Sequence, residues 1–117
     1  SFLVNRVLFG WFGFQVVITL SPVVEESAKT LSAYYFQADL VATHAVFGFI
    51  EAVYDWFQDG RNPLTAATLS LVGHTLFGWI TAFAWRVSEN IWLGLAAGIT
   101  SHLLWNTVLV RLTAIRR

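Results

Sequence analysis

The sequence predicts an all-α fold, a polytopic membrane helix bundle with about four or five transmembrane helices. Two observations predict it. Of the 117 residues, 56% are hydrophobic and only 12% are charged, and several long stretches contain no charged residue. Soluble domains average about 25% charged residues, and a domain of this size needs many polar side chains to cover its surface. The composition therefore favours a lipid environment over water.

Three apolar stretches in the later part of the chain each approach the roughly 20 residues that a bilayer-spanning helix requires. Residues 64–85 and 91–110 contain no charged side chain, and the short polar segment 86–90 between them indicates an antiparallel hairpin. Residues 40–58 form a third stretch, which ends at a loop containing Gly and Pro. We predict transmembrane helices at about 40–58, 64–86 and 91–111.

The first third of the chain allows two interpretations. Either Ser21 caps a new helix with Pro22 in its first turn, or Pro22 only kinks one longer helix. With four spans, five of the six arginines lie on one side of the membrane. With an extra crossing, four arginines lie on one side and two on the other, which is a weaker bias. We therefore expect a single transmembrane domain over residues 1–117, with an entry segment at 1–13, a first helix at about 14–37, and an Arg-rich C-terminus in the cytoplasm.

Charge and cysteine content exclude several classes of function. Seven basic and seven acidic residues cancel, so no net positive field exists to attract nucleic acid. The chain contains no cysteine, which excludes disulfides, iron–sulfur clusters, thiolate zinc sites and cysteine nucleophiles. Any bound metal would have to be held by His, Glu, Asp or Asn side chains.

Ionisable side chains fall near the midpoint of all four predicted spans. Glu25 and Glu26 lie in the first, Glu51 in the second, His74 in the third and His102 in the fourth. A charge at the bilayer centre costs about 2.5 kcal/mol or more, so these groups are expected to face one another or water. Carboxylates and imidazoles are both zinc ligands and general bases. The alternative is a buried ion-pair network that only holds the bundle together.

Spacing within the helices adds further expectations. Lys29 lies three and four residues after the paired glutamates and is expected to pair with one of them. Asn106 shares a helix face with His102, so its amide is a candidate oxyanion donor. His44 and Asp55 lie toward the ends of their span, and we expect both at the membrane interface.

The order of these motifs resembles the PrsW family of intramembrane proteases, within the superfamily of CAAX-prenyl proteases and bacteriocin-processing enzymes. The resemblance rests on Ser-Pro-Val-Val-Glu-Glu-Ser-Ala-Lys at 21–29, Phe-Gly-Phe-Ile-Glu at 47–51, the lone His74, and His-Leu-Leu-Trp-Asn at 102–106. It covers residues 21–106. The resemblance implies a multi-helix membrane bundle that cuts peptide bonds in or near the bilayer by glutamate- or metal-dependent chemistry.

The predicted function is therefore an intramembrane peptidase that hydrolyses a peptide bond of a membrane-associated protein. We expect Glu25 with Glu26 to deprotonate a water molecule, which Glu51, His74 and His102 orient directly or through a divalent metal such as zinc. The resemblance gives these five residues, and Asn106 as the oxyanion donor, as the catalytic set. Expected partners are the lipid bilayer and a membrane-protein or peptide substrate, with a homo-oligomer or larger membrane complex also allowed.

The alternative function is a non-catalytic subunit or scaffold of a larger membrane complex. Such a subunit could either act only as a scaffold or bind a haem or chlorin through His74 or His102.

Overall fold

A computed structural model describes residues 14–57 and 62–115, and the predicted entry segment at 1–13 lies outside them. The described residues form four α-helices and no strand, so the all-α prediction is confirmed. The helices are α1 (Phe14–Tyr35), α2 (Leu40–Trp56), α3 (Pro63–Ser88) and α4 (Ile91–Ile115). The last helix continues to Ile115 rather than ending near residue 111, as the sequence predicted.

Pro22 lies inside α1, which runs through it without interruption. The interpretation in which Ser21 caps a new helix is therefore wrong. Helices in apolar surroundings tolerate an internal proline where neighbouring groups satisfy the backbone groups that it frees.

Local signals in the sequence set the other helix ends. Asp39 caps α2, because its side chain accepts a hydrogen bond from the backbone N–H of Ala42 at 2.7 Å. Pro63 begins α3, where its missing N–H costs nothing. Glu89 ends α3 in the left-handed conformation, with φ of 56°. At the start of α4, Asn90 Oδ1 accepts the N–H of Trp92 at 2.9 Å.

The four helices form a ring in chain order, in which α1 closes the bundle by packing against both α2 and α4. Two glycines allow α2 and α3 to approach closely. A Cβ atom on Gly48 would lie 2.8 Å from Cβ of His74, and one on Gly78 would lie 2.5 Å from Cβ of His44. A glycine on each of these two helices thus packs against a histidine of the other helix. This close packing places the two histidines inside the bundle.

The distribution of polar and apolar side chains is reversed relative to that of a soluble domain. Among the described residues, six hydrophobic residues are buried, nine polar or charged residues are buried, and 24 large hydrophobic residues are exposed. Soluble proteins bury their apolar residues and leave charged ones at the surface. The polar interior of this bundle is therefore its candidate site.

Within the part of the chain that the structure describes, one helix, Pro63–Ser88, is long and apolar enough to cross a membrane. A single helix of this kind also occurs in the cores of soluble proteins, so the multi-pass arrangement remains a prediction. Helix α1 contains the buried ionisable residues Glu25, Glu26 and Lys29, which lower its hydropathy, and α2 has only 17 residues.

Candidate active site

Glu26 lies at the centre of the bundle, where its side chain has 0% exposure. Its Oε1 accepts a hydrogen bond from Lys29 Nζ at 2.8 Å and a second from His102 Nδ1 at 2.8 Å. Lys29 lies one turn further along α1, whereas His102 comes from α4. One carboxylate oxygen therefore joins the two helices that are furthest apart in sequence.

Lys29 extends this contact to α2 and α3. Its Nζ lies 2.7 Å from His74 Nδ1, and His74 Nε2 contacts the Glu51 carboxylate. Because an ammonium group only donates hydrogen bonds, Nδ1 of His74 must accept and Nε2 carries the proton donated to Glu51. A continuous chain of hydrogen bonds therefore runs from Glu26 through Lys29 and His74 to Glu51, with α1, α3 and α2 each contributing.

His102 is oriented on three sides. Its Nδ1 donates to Glu26, its ring stacks on Phe77 at a centroid distance of 4.6 Å, and its Nε2 lies 3.8 Å from Glu25 Oε2. The donated Nδ1 proton leaves Nε2 as an acceptor in the neutral imidazole. Glu25 is 7% exposed, in contrast to the enclosed Glu26. Glu25 and His102 Nε2 together form a polar pair beside Glu26.

The structure thus brings together five of the six predicted catalytic residues: Glu25, Glu26, Glu51, His74 and His102. Asn106 lies one turn beyond His102 on α4 and is half-buried. Its side chain makes no hydrogen bond to these five residues in the described part of the chain. Its role as an oxyanion donor stays a prediction.

His44 and Thr30 are members of the cluster that the sequence analysis missed. His44 was expected at the membrane interface, but it has 0% exposure, and its Nδ1 lies 3.5 Å from Glu26 Oε2. Its Nε2 lies 3.3 Å from Thr30 Oγ1. Spacing could have identified both, since His44 precedes Glu51 by seven residues on one face of α2, and Thr30 follows Glu26 by four on α1.

Asp55 lies near the C-terminal end of α2, where the sequence placed it. It is half-buried and accepts a hydrogen bond from Ser70 Oγ of α3 at 2.7 Å. This contact lies one turn from the pair formed by Glu51 and His74, on the facing sides of the same two helices.

The predicted metal ligands Glu51, His74 and His102 do not fit a metal ion in this arrangement. Lys29 already provides a cation on His74 Nδ1, and His74 Nε2 is held by Glu51. Across the described ranges, no group of three His, Asp or Glu side chains is arranged to hold a metal. A haem or chlorin would also require displacement of a partner from His74, or of Glu26 or Glu25 from beside His102. The arrangement of these side chains therefore fits neither a metal ion nor a tetrapyrrole.

Comparisons of the chain with protein-family models, curated proteins and solved structures found no match. The resemblance to the PrsW family therefore rests on the motif residues alone. The geometry of the cluster is independent of that resemblance.

Proposed function

We propose that the chain is a multi-pass membrane peptidase that uses Glu25 to activate water for peptide-bond hydrolysis. The observation that carries the proposal is the position of Glu25 Oε2, 3.8 Å from Nε2 of a histidine whose other nitrogen is fixed by Glu26. A base beside an oriented second polar group is the arrangement that hydrolysis requires.

The membrane part of the proposal is supported by the reversed distribution of side chains. The 24 exposed large hydrophobic residues would be unfavourable in water, whereas lipid tails solvate them. The longest extent of the chain, 43 Å, is close to the roughly 40–45 Å of a bilayer with its headgroups. We expect the protein to remain in the membrane fraction after extraction with alkaline carbonate.

In the proposed reaction, a water molecule lies against Glu25 and His102 Nε2. The Glu25 carboxylate takes one proton from this water as its oxygen attacks the carbonyl carbon of the scissile peptide bond. The resulting tetrahedral intermediate has a negatively charged oxygen, to which the Asn106 amide donates a hydrogen bond. Protonated Glu25 then transfers its proton to the leaving nitrogen, the C–N bond breaks, and the carboxylate is regenerated.

The remaining members of the cluster position these groups. Glu26 fixes the imidazole of His102, and the positive charge of Lys29 balances the buried charge of Glu26. His74 and Glu51 hold Lys29 from the opposite side. With the resemblance to the PrsW family, this arrangement supports a substrate that is itself a membrane-associated protein.

The proposal is tested with purified protein in detergent micelles and a pool of fluorescence-quenched peptides with apolar sequences. We expect Glu25→Gln to abolish hydrolysis, because an amide cannot accept the proton from water. Far-UV circular dichroism should show unchanged helix content, since Gln keeps the shape of the side chain. The matched control is Glu89→Gln, which changes an exposed glutamate at the end of α3 and should retain full activity.

Two outcomes would overturn the assignment. Wild-type protein that releases no peptide fragment would exclude peptidase activity on these substrates. A Glu25→Gln variant that hydrolyses peptides as fast as wild type would show that another group activates the water.

A further inference from the structure

Exposure within the cluster is highest at Glu51. The side chains of Glu26 and His44 are 0% exposed, His74 is 7% exposed, and Glu51 is 16% exposed. Solvent therefore has its best access to the cluster at Glu51.

Polar side chains continue beyond Glu51 toward the end of the α2–α3 hairpin. Asp55 lies one turn further along α2, about 6 Å by the helical rise, and Ser70 lies one turn before His74 on α3. Ser70 and Asp55 are hydrogen-bonded at 2.7 Å and both are half-buried. The facing sides of α2 and α3 therefore present two polar pairs in successive turns.

The opposite end of the bundle interior is closed by apolar side chains. Ala33, Leu40 and Ile91 are buried there, and Ala82 and Trp85 pack against them. A polar molecule would have to cross this apolar layer to enter from that end, which is unfavourable.

Three buried polar atoms in the interior have no hydrogen-bond partner among the described residues: Ser21 Oγ, Glu26 Oε2 and His44 Nδ1. Buried polar groups in proteins are nearly always satisfied, commonly by internal water. Their side chains are at least nine-tenths buried, and Glu26 Oε2 and His44 Nδ1 lie 3.5 Å from each other, so one water molecule bound to both atoms would satisfy them.

We propose that Ser70, Asp55 and Glu51 line a hydrated path that supplies water to the cluster from the end where α2 finishes and α3 begins. The two carboxyl groups make this path selective for neutral and cationic molecules over anions. The path rests on the membrane part of the proposed function, because outside a bilayer the whole surface would be hydrated.

The test uses single-cysteine variants, which need no prior removal of thiols because the chain contains no cysteine. Ser70→Cys reports on the path, and Val72→Cys is the matched control at the same depth on the outer surface, where Val72 is 51% exposed. Thr81→Cys reports on the enclosed interior, where Thr81 is 0% exposed. Each variant is reconstituted in phosphatidylcholine vesicles and treated on both faces with a cationic methanethiosulfonate reagent.

We expect Ser70→Cys to be modified, and Val72→Cys and Thr81→Cys to remain unmodified over the same time, because a thiol reacts as the thiolate, which forms in water. Asp55→Cys gives a second reporter on the path, should Ser70→Cys fail to fold. An anionic reagent of similar size should modify Ser70→Cys more slowly than the cationic one. Adding Asp55→Asn should reduce this difference, since one carboxylate is removed.

The outcomes separate the two proposals. If Ser70→Cys and Asp55→Cys both stay unmodified, as Val72→Cys does, the path is overturned while the membrane assignment stands. If Val72→Cys reacts as fast as Ser70→Cys, the chain is not embedded in lipid and the proposed function fails. If Thr81→Cys reacts fastest, water enters from the opposite end.

Discussion

The two ends of the bundle interior differ in the side chains that fill them. Ala33, Leu40 and Ile91 close one end, whereas Asp55 and Ser70 occupy the other. The enclosed part of the cluster, Glu26 with its partners Lys29, Thr30 and His44, lies between them, and the Glu51 side is the more exposed.

This difference separates two kinds of polar contact. In the enclosed part, a group that loses its partner has no water to replace it, so each contact is expected to matter for stability. On the Glu51 side, water can take the place of a lost partner. We therefore expect substitutions in the two regions to differ in their effect on the free energy of unfolding, measured by SDS titration in mixed micelles.

The largest effect is expected from Lys29→Met. This change leaves Glu26 as an uncompensated buried charge and His74 Nδ1 without a donor, which should lower the free energy of unfolding by about 3–5 kcal/mol. The double variant Glu26→Gln with Lys29→Met should recover part of this loss, because no unpaired charge remains. Arg111→Met, at an exposed position on α4, is the control and should change stability by less than about 1 kcal/mol. A loss equally small for Lys29→Met would show that the enclosed charge pair is not needed.

An intermediate effect is expected from Gly78→Ala. The added Cβ would lie 2.5 Å from Cβ of His44, close to the backbone, so α2 and α3 must separate at a cost of about 1–3 kcal/mol. Gly73→Ala is the matched control, because its Cβ would first meet the Trp105 ring at 3.2 Å, and a side chain can adjust. Equal losses in the two glycine variants would contradict the tight contact of His44 with α3.

The smallest effect comes from single hydroxyl groups in the two regions. Thr30→Val removes the contact with His44 Nε2 in the enclosed part and should cost about 1 kcal/mol. Ser70→Ala removes the hydrogen bond to Asp55 in the half-buried region, where water can replace the hydroxyl, so we expect a change near zero. A larger loss for Ser70→Ala than for Thr30→Val would contradict the expectation that water replaces lost partners near Ser70 and not in the enclosed part.

The sequence predicted the helices better than the partners of the buried groups. Uncharged stretches and the polar segments between them predicted the positions of α2, α3 and α4, because a long run of apolar residues between polar breaks can be seen directly in the sequence. One of the two interpretations of Pro22 wrongly began a new helix there. A proline can begin a helix or lie within one, and the groups packed beside it decide between the two.

The residues of the candidate site were predicted from their positions near the midpoints of the predicted spans. Such a position does not show which side chains on neighbouring helices touch one another. His44 was placed at the interface because it lies toward one end of its span, yet Gly78 on the neighbouring helix allows it to reach Glu26. The prediction that Glu51, His74 and His102 share a metal ion likewise took no account of Lys29. The long side chain of Lys29 lets its ammonium group reach His74 on another helix.

The amino-acid sequence by itself determined that this chain is helical and that its few ionisable residues lie at a similar height in the helices, because both properties follow from position along the chain. Only the tertiary structure decided which of these residues touch. Lys29 became the central cation, Glu26 was enclosed, and Glu25 kept some access, although the two glutamates are adjacent in sequence. The reason is that neighbours on a helix point about 100° apart, so the packing of the other helices assigns them different surroundings.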